Sequence, residues 1–110
     1  MKKLLVGIWL LVSGSALAQT AEASFWVDGV CGMCEKRIES ALLSTPGVKF
    51  ADWSRETHMV KVAFNPKKLI EQKLHEIVAE AGHDTQKVKA NDKAYAKVHS
   101  CCKYRELNAH

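Results

Sequence analysis

The amino-acid sequence predicts an α+β domain of ferredoxin-like form. The expected order is βαββαβ, with two helices on one face of a four-stranded antiparallel sheet and a C-terminal extension. Three observations carry this expectation. Apolar residues recur with period two in short runs near 24–30, 48–54 and 58–64, and with helical period over 33–42 and 66–81. Turn-forming residues separate these runs in the order strand, helix, strand, strand, helix, strand. The chain has 110 residues, which allows one domain with one modest core.

Taken in order, Ser24 to Val30 reads as the first strand, with Phe25 and Val27 alternating against Trp26 and Asp28. Val30-Cys31-Gly32-Met33-Cys34 is a loop, and a helix begins near Met33. Cys34, Ile38, Ala41 and Leu42 form its apolar face; Glu35, Lys36, Arg37 and Glu39 form the other. Thr45-Pro46-Gly47 stops it. Val48 to Ser54 is the second strand, with Val48 and Phe50 alternating with Lys49 and Ala51. Arg55-Glu56-Thr57 turns the chain into a third strand, His58 to Phe64, whose Val60, Val62 and Phe64 mark the buried side. Asn65-Pro66 reads as a helix cap followed by proline at the first helical position. The second helix then runs to Ala81, with Ile70, Leu74, Ile77, Val78 and Ala81 as its stripe and Gly82 as its end. Thr85 to Lys89 is a weak fourth strand. His58 and His75 are expected to be solvated.

The first residues carry an export pattern. Lys2 and Lys3 precede an apolar run from Leu4 to Val12, and Ala16-Leu17-Ala18 gives a small-x-small cleavage pattern. The run is shorter than the roughly 20 apolar residues of a membrane-spanning helix. We therefore expect residues 1–18 to be a cleaved signal peptide, residues 19–89 the domain and residues 90–110 an extension. This predicts a periplasmic or secreted protein with no stable membrane insertion after cleavage. Removing Lys2 and Lys3 leaves 14 basic against 12 acidic residues, so the formal charge falls from +4 to +2. There is no arginine-rich run interleaved with aromatics, so no nucleic-acid partner is expected. No nucleophile with a plausible base and no phosphate loop appears, so no enzyme is expected.

All four cysteines, Cys31, Cys34, Cys101 and Cys102, fall in the exported part. An oxidising compartment invites disulfides. Bridging the neighbours Cys101 and Cys102 would strain the bond, and a Cys31–Cys34 bridge would close too short a loop to stabilise much. A cross-link from one pair to the other would stabilise more and stays open. Cys31 and Cys34, between a strand and a helix, place two sulfurs on one turn, with a spacing that suits two thiolates on one ion. The helix start, with Lys36 and Arg37 nearby, favours the thiolate. Soft thiolates select soft ions. Cu(I) is the first expectation, with Hg(II) and Zn(II) as alternatives.

The segment from Phe25 to Glu39, centred on Val30-Cys31-Gly32-Met33-Cys34, resembles the metal loop and first helix of heavy-metal-associated domains. This family includes copper chaperones, metal-ATPase amino-terminal domains and periplasmic mercuric-ion binding proteins. Pro46-Gly47-Val48 and Ala81-Gly82 also match, over about residues 22 to 89. The resemblance implies a ferredoxin-like fold and maps the family's metal cysteines onto Cys31 and Cys34. Asp28-Gly29-Val30 replaces the usual Gly-Met-x before the first cysteine, and His83 stands where tyrosine or lysine is common. His83 is thus a candidate third ligand or a hydrogen-bond donor to one.

The tail, from Tyr95 to Arg105, resembles the Cys-Cys-Lys-Tyr ending of a secreted subgroup of the family, which implies no defined role. Cys101, Cys102 and His99 are candidate additional ligands, and a tail folded back onto Cys31 and Cys34 would turn an open transfer site into a closed one. Residues 87–105 hold six basic side chains and one acidic, a surface able to steer docking to an acidic partner. The leading function is a carrier or scavenger of a soft metal ion, with a membrane metal transporter or another metal-binding domain as partner. Two alternatives are a thiol–disulfide oxidoreductase, since strand–CxxC–helix is also a redox layout, and a metal-sensing interaction module.

Overall fold

The computed structural model describes residues 20–106; the expected signal peptide, residues 1–18, lies outside them. Strand β1 is Ala21–Trp26, helix α1 Gly32–Leu43, β2 Val48–Trp53, β3 Met59–Phe64 and α2 Glu71–Glu80. A short helix α3, Asp92–Tyr95, and two 3-10 turns, Ser100–Cys102 and Tyr104–Glu106, follow. The sheet order is β1-β3-β2, with both pairings antiparallel. This is the expected ferredoxin-like α+β arrangement, with its fourth strand cut down to one bridge, Val27 to Thr85, on the free side of β1.

The side chains of that segment explain the shortening. Thr85 Oγ1 accepts the N–H groups of Lys87 and Val88, and the Thr85 N–H donates to the Val88 carbonyl. Such a local bond turns the chain away from the ladder. Gln86 then supplies its side-chain oxygen to the Trp26 N–H at 2.8 Å, where a longer strand would have offered a carbonyl.

One apolar cluster joins the layers. Phe25, Val27, Trp53, Val60, Val62 and Phe64 from the sheet meet Cys34, Ile38 and Leu42 of α1 and Leu74 and Val78 of α2. Burying a large apolar side chain stabilises the fold by roughly 1.5–3 kcal/mol, so this set dominates folding. The alternation expected in β2 is reversed. Ala51 and Trp53 face the core, while Phe50 is 48% exposed and Val48 only half-buried. Val48 pairs with Phe64 and Phe50 with Ala63, so Lys49 is an extra residue, and this β-bulge shifts the phase by one.

The start of α2 also differs. Asn65 Oδ1 accepts the Lys67 N–H, and its carbonyl accepts those of Lys68 and Leu69, which closes a single turn. Ile70 is then extended, and the helix begins at Glu71. Ile70 therefore leaves the apolar stripe and is 67% exposed. His75 is fully buried rather than solvated: it stacks on Phe25, and its ring nitrogens meet Thr85 Oγ1 at 2.7 Å and Glu71 Oε2 at 3.0 Å. His58 is half-buried and stacks on Trp53.

The residues after 89 are part of the packing. Val98 and Cys102 lie in the same apolar cluster, and Tyr104 is buried beside them. Gly82, with φ of +107°, ends α2 in a conformation that glycine adopts readily. A Cβ there would lie 2.6 Å from Val98 Cγ1 and 2.8 Å from the Ala94 carbonyl oxygen, so the tail seats on the bare backbone.

Candidate metal centre

The Cys31–Cys34 loop is built between β1 and α1. Trp53, inward because of the β2 bulge, roofs it and donates from Nε1 to the carbonyls of Val27 and His58 at 3.1 and 3.2 Å. Gly29 passes directly under this ring: a Cβ there would sit 3.0 Å from Trp53 Cζ2 and 3.2 Å from Cys34 Cβ. Cys31 is the N-cap residue of α1, and its carbonyl accepts the Glu35 N–H at 3.1 Å. Cys34, one turn in, is fully buried, and its sulfur accepts the Val30 N–H at 3.3 Å. Burial pushes the Cys31 thiol up. The N–H of Cys34, the Cys101 thiol, the N–H of Met33 and the charge of Arg55 together outweigh it, and its pKa falls below the ordinary value.

The second cysteine pair is delivered by the tail. Ser100–Cys102 forms a 3-10 turn in which the Cys102 N–H donates to the His99 carbonyl at 2.8 Å. Cys102 points inward, fully buried, and is joined to Cys34 as a disulfide with Cα atoms 5.7 Å apart. Cys101 points outward and is exposed.

A polar latch after this pair fixes its place. Tyr104 OH donates to the Gly82 carbonyl at 2.6 Å and accepts the Asp84 N–H at 3.0 Å. Burial, and then the Asp84 charge, push the Tyr104 phenol up, so it stays a donor. The Arg105 guanidinium reaches Asp84 Oδ1 at 2.7 Å, Asp84 Oδ2 at 3.3 Å and the Ala90 carbonyl at 2.6 Å. Lys103 Nζ donates to the carbonyls of Tyr95 and Ala96.

The four sulfurs converge. Cys31 Sγ lies 3.9 Å from that of Cys34, 3.3 Å from that of Cys101 and 3.8 Å from that of Cys102. Four thiolates around one ion at about 2.3 Å would stand about 3.8 Å apart. Cys31, Cys101 and Cys102 bring their sulfurs within 4.8 Å of one another, a spacing that fits a soft ion, and Cys34 stands beside them on the buried side. The hydrogen bond with Cys31, then burial and the Cys31 charge, raise the Cys101 pKa, so Cys31 ionises first. Cys31 and Cys101 also line an open groove with Gly32, Met33, Glu35, Lys36 and Glu39. Two sulfurs thus face the entrance and two are buried.

The histidines are not brought into this cluster. His83 is fully buried, and its Nδ1 donates to the Asp28 carbonyl at 2.8 Å, beneath the loop. Its ring stacks on Tyr104. Burial, set against the Asp28 carbonyl and reinforced by Arg37, lowers its pKa from 6.5 to about 4. His99 is exposed and lines a separate groove with Met33, Lys36, Arg37 and Ser40. Glu35, Glu39 and Asp52 also bring carboxylate oxygens within 4.8 Å of one another, but Glu39 is engaged by the Trp53 N–H, and these donors are hard. The latch residues Tyr104, Arg105 and Asp84 were not anticipated; the alternation of basic and aromatic residues in the tail was their only trace in the sequence.

Comparison with known proteins follows the same lines. Residues 24–84 match the family model of the heavy-metal-associated domain. The structure resembles that of CopZ metallochaperone, at 29% identity and a TM-score of 0.57, over 59% of this chain and 98% of that one. It also resembles oxidised MerP from Ralstonia metallidurans CH34, at 29% identity and a TM-score of 0.57, over 61% of this chain and 94% of that one. A third is the N-terminal domain of a potential copper-translocating P-type ATPase from Bacillus subtilis in the Cu(I)-loaded state, at 32% identity and a TM-score of 0.57, over 61% and 85% of the two chains. A search of curated proteins gave no match. The family match ends at residue 84, before the second cysteine pair.

Proposed function

The chain belongs to the heavy-metal-associated domain family, and on that basis we propose that it binds one soft metal ion on sulfur and carries or sequesters it outside the cytoplasm. Cu(I), Hg(II) and Zn(II) are the candidate cargoes. The observation that carries this reading is the position of Cys31 Sγ within 3.9 Å of the three other sulfurs. In the reduced protein Cys31 and Cys101 meet an arriving ion at the groove. Each thiol gives up its proton as it binds. Cys34 and Cys102 then complete the site from the buried side. Four sulfurs hold an ion more firmly than two, so storage is favoured over rapid transfer. Release runs in reverse, with the thiol ligands of a transporter or another metal-binding domain replacing Cys31 and Cys101. The export pattern of residues 1–18 supports a periplasmic or secreted setting.

The test is Cu(I) binding by reduced protein in competition with a chromophoric chelator. One ion per chain is expected, and the double variant Cys31→Ser, Cys34→Ser should abolish it. Unchanged affinity in that variant would sink the reading.

One observation favours a second reading. Cys31, a free thiol, sits 3.9 and 3.8 Å from the two sulfurs of a disulfide, Cys34–Cys102, an arrangement from which thiol–disulfide exchange could start. Appreciable turnover in an insulin-reduction assay would move the assignment to an oxidoreductase.

A further inference from the structure

When Cys34 and Cys102 are joined, two of the four sulfurs can no longer take a metal. The remaining two, Cys31 and Cys101, are free thiols that come one from each pair. They are not scattered. Their sulfurs are 3.3 Å apart, both line the same groove, and Cys31 Sγ also lies 3.8 Å from the Cys101 carbonyl oxygen. The disulfide holds them there, together with the latch of Tyr104, Lys103 and Arg105. Cys102 is tied to Cys34, which stands three residues from Cys31 in the same loop and helix turn. The adjacent Cys101 is thereby held over Cys31. The bond that removes two ligands pins the other two together.

We propose that the disulfide form is itself a metal-binding state, with Cys31 and Cys101 as a two-sulfur site for a thiophilic cation that accepts two ligands. This rests on the metal-binding reading above and adds a second coordination mode to it. A linear site needs its sulfurs about 4.6 Å apart, twice a soft metal–sulfur bond of about 2.3 Å. Cys101 is exposed on a three-residue turn, so a change of its side-chain rotamer can open the gap. Binding releases two protons, one from each thiol. A cation that demands four sulfurs has no place in this state. Reduction by a dithiol delivers two electrons and two protons to Cys34 and Cys102, closes the dithiol to its cyclic disulfide, and returns the four-sulfur site. The redox state of one buried bond thus selects which class of ion is held.

The experiment uses the chain from residue 19 to 110, air-oxidised, with the Cys34–Cys102 link established by peptide mapping. Hg(II) and Zn(II) are the probes, measured against excess iodide and by mass, with alkylation of free thiols as a second readout. Oxidised protein should retain one Hg(II) with both Cys31 and Cys101 protected from alkylation, and should not retain Zn(II). Oxidised Cys101→Ser should hold Hg(II) about 100-fold less tightly, because a chelate becomes a single ligand. The same variant, once reduced, should bind again through Cys31, Cys34 and Cys102. Mapping that places the disulfide between Cys31 and Cys34 would overturn the proposal, as would undiminished retention by oxidised Cys101→Ser. If reduced protein binds ions and oxidised protein binds none, only this inference fails. If reduced protein binds none, the metal-binding reading fails with it.

Discussion

The two cysteine pairs meet at one point but are held there by different forces. Cys31 and Cys34 sit on the strand–helix junction, under Trp53, and their position follows from the apolar core. Cys101 and Cys102 sit on a 3-10 turn secured by a phenol, a guanidinium, an ammonium and one carboxylate. Each pair contributes one buried sulfur and one open sulfur. The contrast teaches that the first pair rests on the core alone, while the second adds to its apolar seat, Val98 and Cys102, a polar latch and one covalent bond.

Cutting that bond should give the largest effect. The Cys34–Cys102 link spans 68 residues of sequence, and closing a loop of that size stabilises the folded state by about 4 kcal/mol. Cys102→Ser should lose roughly this amount in urea unfolding under oxidising conditions and much less in the presence of a reductant. Equal losses in both conditions would show that the tail is held by packing alone.

His83 probes the floor of the Cys31–Cys34 loop. Its folded pKa, about 4, lies below the usual 6.5, so between these values the unfolded chain binds more protons. Stability is complete above about pH 6.5 and declines as the pH falls toward 4, by about 3 kcal/mol in total. Unfolding curves at pH 7 and pH 5 should differ in the native protein, and the difference should shrink in His83→Gln. The same slope in both would remove His83 as the cause.

Gly29→Ala should cost about 1–3 kcal/mol by overpacking against Trp53 and Cys34. It should also weaken Cu(I) binding, because the added methyl presses on Cys34 itself. Normal affinity at reduced stability would show that the loop can shift as a unit.

Arg105→Ala is expected to be milder, at about 1–2 kcal/mol, since it removes a charge-assisted contact to Asp84 at a partly open site. Its signature should appear in the metal centre. Co(II) spectra of the reduced variant should lose four-sulfur character while two-sulfur binding at Cys31 and Cys34 persists. Arg105→Lys should recover only part, because an ammonium cannot reproduce the forked contact. An unaltered Co(II) spectrum would show that Tyr104 and Lys103 suffice.

The same division governs what the sequence revealed. Strand and helix order was legible because apolar periodicity is a local signal, and Phe25, Ile38, Val60 and Val78 are buried as that signal requires. The phase of β2 was not, because nothing in Val48-Lys49-Phe50 announces a bulge. Asn65 was expected to cap the second helix, but it closes a single turn and the helix begins at Glu71. In the centre, the Cys31–Cys34 spacing announced itself within four residues. The union with Cys101 and Cys102 stood only as an open possibility, because it depends on contacts that Tyr104 and Arg105 make with Gly82 and Asp84, some twenty residues away in sequence. His83 was marked as a site residue by its position in the sequence, and only packing shows that it supports the loop from beneath.

Gly82 carries a consequence beyond its turn. Its missing side chain leaves the socket that Val98 fills, and its carbonyl receives the Tyr104 hydroxyl. The absence of one methyl group thus acts as a gate on tail capture. Any larger residue there would push Val98 from its socket and unseat the segment that brings Cys101 and Cys102 to the loop.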